Sequence, residues 1–121
     1  MKSESLKEWR ETERFTEMAR IGNLPKHTKI SIWVNEKREE REAPHVHIRL
    51  SNNDVIRLYI KTLKGMDGRT LESNVMKEFK KWLLSSHRDN AKVTNLEVAI
   101  IMWNAQAHAE KIKMSQLSWL K

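Results

Sequence analysis

Three short segments in which apolar and polar residues alternate limit what this chain can fold into. Ile30, Ile32 and Val34 alternate with Lys29, Ser31 and Trp33; Val46, Ile48 and Leu50 with His45, His47 and Arg49; Ile56, Leu58 and Ile60 with Val55, Arg57 and Tyr59. A period of two is the mark of a half-buried strand, with each set on its own face. Pro44 stands at the first position of the middle strand, where a missing N–H is tolerated. Ser51-Asn52-Asn53-Asp54 is turn chemistry and joins the second segment to the third as a hairpin.

Pattern also suggests a register for that hairpin. A three-residue loop at 52–54 sets Leu50, Ile48 and Val46 opposite Ile56, Leu58 and Ile60 and keeps one face apolar. On the other face Arg49 then lies opposite Arg57, His47 opposite Tyr59, and His45 opposite Lys61. Opposed like charges are destabilising, so a face that accepts them beside aromatic residues is expected to bind an anion.

Helical signals flank the strands. Ser5 and Glu8 form a capping-box pattern, and Gly22 offers a C-terminal stop, which predicts a helix within 1–22. Leu71, Val75, Phe79 and Leu83 recur at four-residue spacing from about Thr70, and His87-Arg88-Asp89-Asn90 ends that helix. Thr94 and Glu97 make a second capping box ahead of Leu96, Ile100, Trp103 and Ala107. Two helices are therefore expected over 70–114, followed by an apolar tail at 115–121 that tucks against the domain or meets a partner. Strands grouped at 28–62 and helices grouped after them give an α+β fold in one domain over 1–121. Its small antiparallel sheet of three or four strands packs one face on the C-terminal helices, with a helix at the N-terminus.

Composition narrows the function classes. The chain has 121 residues, enough for one core, and no cysteine, which removes thiolate chemistry, disulfides and cysteine-type zinc sites. No apolar run reaches the length of a membrane span and the charged start is no signal peptide, so a cytoplasmic protein without membrane contact is expected. The net charge is +7. Residues 23–64 carry nine basic and five acidic side chains, whereas residues 1–22 balance at five and five. The excess thus gathers around the strands, a footprint compatible with nucleic acid.

His45 and His47 share a strand face, with Arg49 beside them, expected to point away from the core. Three chemistries fit. Two imidazoles converge on a metal in a His-x-His domain, but zinc takes three or four protein ligands and His27, His87 and His108 are scattered. Alternatively, His45 and His47 are an acid–base pair for metal-free phosphodiester cleavage. Arg49, Arg57, Arg41 and Lys61 then hold phosphate, and Trp33 and Tyr59 stack bases. Finally, both histidines are structural and the protein is a non-catalytic interaction module. In that case it contacts a partner through the N-terminal helix, the charged loop at 35–42 and the Trp119 tail. Trp82 and Trp103 read as core.

The run Arg41-Glu42-Ala43-Pro44-His45-Val46-His47 resembles the His-x-Pro-Pro-His-aromatic-His pattern of the domain of unknown function 4160 family. The second proline and both strand histidines match; Arg41, Ala43 and Val46 replace the leading histidine, the first proline and the aromatic residue. The resemblance spans about residues 28 to 103. It implies a small α+β domain in a toxin–antitoxin-like setting with a small protein partner, and it names no substrate. The leading expectation is a small basic protein of toxin–antitoxin or phage-conflict type that binds RNA or another phosphate-rich ligand, with no cofactor. A homodimer is compatible with this expectation.

Overall fold

A computed structural model describes residues 18–35, 43–106 and 110–120. Among the described residues, four antiparallel strands form one sheet in sequence order: β1 (Met18–Asn23), β2 (Ser31–Asn35), β3 (His45–Arg49) and β4 (Val55–Tyr59). Helix α1 (Ser73–Leu83) and helix α2 (Asn95–Asn104) follow, separated by a hairpin of β5 (Ser86–His87) and β6 (Asn90–Thr94). Short 3-10 turns at Met114–Gln116 and Ser118–Leu120 end the described chain. The architecture is α+β.

The alternating residues do what their pattern requires. Ile32, Val34, Val46, Ile48, Ile56 and Leu58 are all buried and join one core with Phe79, Trp82 and Leu83 of α1 and Leu96, Ala99, Ile100 and Trp103 of α2. Helix α2 lies against β1 and β2. Its start is fixed by the capping box: Thr94 Oγ1 accepts from Glu97 N, and Glu97 Oε1 accepts from Thr94 N at 2.8 Å. The C-terminal tail tucks home. Leu117 is buried, Ser118 N donates to Lys61 O at 2.9 Å, and Trp119 Nε1 donates to Ile60 O at 2.8 Å.

Several expectations need correction. Residues 1–17 lie outside the described residues, so the helix expected there is not described, and Met18–Asn23 form a strand. Gly22 is therefore no helix stop. It sits just past a bulge, where pairing to β2 shifts between Arg20 and Gly22. A Cβ at Gly22 would lie 2.9 Å from Trp82 Cζ2, so the strand can approach the indole only as glycine.

The second helix ends at Asn104, ten residues before the expected limit of 114. Asn104 itself explains the stop: its side chain donates to Ile112 O and accepts from Ile112 N, both at 2.9 Å. That pair of hydrogen bonds holds the returning chain as a strand partner would. The β5–β6 hairpin was not foreseen either; four of its seven residues are exposed and carry no apolar alternation.

The β3–β4 register differs by two residues from the expected one. Val46 pairs with Leu58 and Ile48 with Ile56, so the apolar face survives. The loop does have three residues, but they are 51–53: Leu50 N donates to Asp54 O at 2.8 Å, and Asn53 N donates to Leu50 O at 2.9 Å. Asn53 takes the left-handed position at φ 71°, a conformation that asparagine tolerates better than most residues. Arg49 consequently faces Val55 rather than Arg57, His47 faces Arg57 rather than Tyr59, and His45 faces Tyr59 rather than Lys61. No pair of arginines is opposed across β3 and β4.

Candidate functional site

The polar face of the sheet is laid out by this register. Arg20, Trp33, His47 and Arg57 form one row across all four strands, with His45 and Tyr59 in the next row along β3 and β4. The predicted group is therefore largely brought together, but not in the expected state.

His45 and His47 do not point to solvent. They are 0% and 4% exposed, so β3 is buried on both faces. Their rings are 5.0 Å apart, and the Trp103 indole lies 5.1 Å from the His45 ring at a tilt of 58°. His45 Nδ1 lies 2.8 Å from Ala43 O; a carbonyl only accepts, so this nitrogen carries the proton. Alternation in a sequence tells which residues share a face and is silent on what packs there, so burial of this face was not legible.

The basic residues around the histidines are held by local partners. Arg57 Nη2 reaches Asp67 Oδ1 at 2.9 Å and Oδ2 at 3.2 Å, with the guanidinium side chain 29% exposed. Asp67 is delivered by the glycine-flanked turn 65–68. Met66 N donates to Arg57 O, Gly68 adopts φ 80°, and a Cβ at Gly65 would fall on Arg69 O. Arg49 donates to Asn53 Oδ1 at 2.9 Å, and Lys61 Nζ pairs with Glu110 at 3.0 Å. Trp33 is half-buried and its Nε1 donates to Ser31 Oγ at 2.8 Å; Tyr59 is half-buried too. Arg41 and the charged loop at 36–42 lie outside the described residues.

Asp67, Glu110 and Trp103 are the neighbours that sequence reasoning did not supply. The one signal for Asp67 in the sequence is its place in the glycine-flanked run Gly65-Met66-Asp67-Gly68, which marks a turn but not the side chain it meets. A further ion pair joins Arg69 to Asp54 at the β3–β4 loop, and the Arg69 guanidinium holds the Asp54 carboxyl below its usual value.

His87 and His27 take structural places. His87 Nε2 donates to Ile21 O at 3.2 Å while its Nδ1 accepts from Asp89 N at 3.2 Å, tying the β1 bulge to the second hairpin. His27 Nε2 lies 3.5 Å from Glu78 Oε1. His108 is outside the described residues. Among the described residues no three His, Asp, Glu or Cys side chains group as metal ligands. No helix among them is long and apolar enough to cross a membrane.

The fold and face define a small α+β domain with a four-stranded sheet whose polar side carries an aromatic–imidazole–guanidinium row. No family model matches the chain, and neither a curated protein nor a solved structure does.

Proposed function

We propose that this is a small basic protein of toxin–antitoxin or phage-conflict type that binds RNA or another phosphate-rich ligand on the polar side of its sheet. The setting rests on the resemblance of residues 41–47 to the domain of unknown function 4160 family. The observation that carries the ligand class is the Trp33–His47–Arg57 row, with Arg57 presented by Asp67 in a fixed plane at the surface. Guanidinium in a defined orientation suits phosphate oxygens, and the aromatic rings alongside suit unpaired bases. In this reading His45 and His47 support the face from within and Arg49, Arg57 and Lys61 meet the ligand.

The test is binding of the purified protein to short single-stranded RNA across a salt series. Affinity should fall steeply with salt and drop at least tenfold in an Arg49→Ala/Arg57→Ala double variant; unchanged affinity in that variant would overturn the reading. A non-catalytic protein-interaction role is the second reading. It is favoured by the burial of both imidazoles together with Ile101, which stands 61% exposed on α2.

A further inference from the structure

Away from the sheet face, the β1–β2 turn and the flank of α1 enclose an open groove of about 650 Å³. That volume is within the roughly 300–1,000 Å³ typical of ligand sites. Lys26 lines it from the turn, and Lys77 and Lys81 line it from the helix. The two helix lysines are four residues apart, hence neighbours on one face, where like charges repel.

The carboxylate inventory of the groove is what singles it out. Glu78 is the one acid among its lining residues, and its side chain is only 13% exposed. Its Oε2 accepts from Lys26 N at 2.6 Å and its Oε1 faces the His27 ring, so Glu78 is engaged in pinning the turn to the helix. Elsewhere Arg49, Arg57, Lys61 and Arg69 each have a side-chain partner. The ammonium groups of Lys26, Lys77 and Lys81 make no ion pair with any described residue. The wall behind them is rigid, because Trp82 stacks on Phe79 at an interplanar angle of 20° and abuts Gly22 on the β1 side.

We infer that this groove is a second anion site, built for linked phosphates such as a polyphosphate or the end of a nucleic-acid strand carries. Three lysines lining one pre-formed groove match several negative oxygens at once, and its single acid is already engaged by Lys26 N and the His27 ring. The site is separate from the sheet face and shares with it only the chemistry of the ligand.

The experiment is a titration of isotope-labelled full-length protein with inorganic tripolyphosphate, followed by amide chemical shifts. A 5′-phosphorylated oligouridylate in a second arm tells a free polyphosphate from a strand end. Saturable shifts are expected at residues 26–27 and 74–85, and Lys77→Gln/Lys81→Gln should weaken binding at least tenfold. Lys64→Gln/Lys113→Gln, which removes the same charge from exposed sites elsewhere, should leave it within about twofold. Equal weakening by both double variants would reduce the effect to net charge and overturn the site, as would an equal response to hexaglutamate or no saturable shift in the groove. Arg49→Ala/Arg57→Ala bears on the sheet face alone, so the two proposals fail separately.

Discussion

At Gly22 the β1 backbone runs against the Trp82 indole, which has Phe79 stacked alongside it. Gly22→Ala should therefore destabilise the protein by about 1–3 kcal/mol, the usual cost of overpacking, and urea unfolding would measure it. A loss below a few tenths would mean the strand can lift away. Asp54 makes a different kind of prediction. Its hydrogen bond to Arg69 lowers its pKa below the usual 3.8. The folded value lies under the unfolded one, so the pair stabilises above about pH 4. That contribution fades as pH falls through the lowered value. Asp54→Asn should flatten the acid side of the stability–pH curve and leave its alkaline side unchanged. The pair is at the surface, so the slope rather than the size of the effect is diagnostic.

At the scale of elements, Thr94 carries the sharpest expectation. Thr94→Ala removes the side-chain acceptor for Glu97 N and should cost about 1 kcal/mol, read as a lowered urea midpoint with unchanged slope. That cap was visible in the sequence because Thr and Glu three apart form it by local geometry alone, and the three alternating strands were visible for the same reason. What depended on distant partners was not. Alternation fixes the parity of the β3–β4 pairing, so the apolar face was right while the register was two residues off, and the opposed arginines vanished with it. Met18–Asn23 joins the sheet as an edge strand because Ile21 and Leu24 bury against the core, although Ser5 with Glu8 and Gly22 read as the two ends of a helix. Helix α2 stops where Asn104 finds Ile112, a contact between residues eight apart that no periodicity announces.

For the whole molecule, the interior histidine connects the parts. The His45 ring meets Trp103 of α2, Trp103 Nε1 donates to Glu110 O at 2.7 Å, Glu110 pairs with Lys61 just past β4, and Trp119 closes on Ile60. Sheet, second helix and tail thus share one set of contacts, and the tail is part of the core rather than an appendage. Ile112 and Leu117 are each 1% exposed, and burying such a side chain contributes about 1.5–3 kcal/mol. A chain ended at Gln106 forfeits both, roughly 3–6 kcal/mol, against the ~5–15 kcal/mol by which a domain is stable at all. It should melt far below the full chain or fail to fold, with circular dichroism and tryptophan fluorescence lost together. His45→Ala, which empties a fully buried site beside Trp103, should cost about 2–4 kcal/mol in the same assay. If both changes left the melting temperature in place, the imidazole would be an exposed functional group and the tail a free arm. Coincident loss by both probes instead ties the histidine strand and the tail to the fold itself.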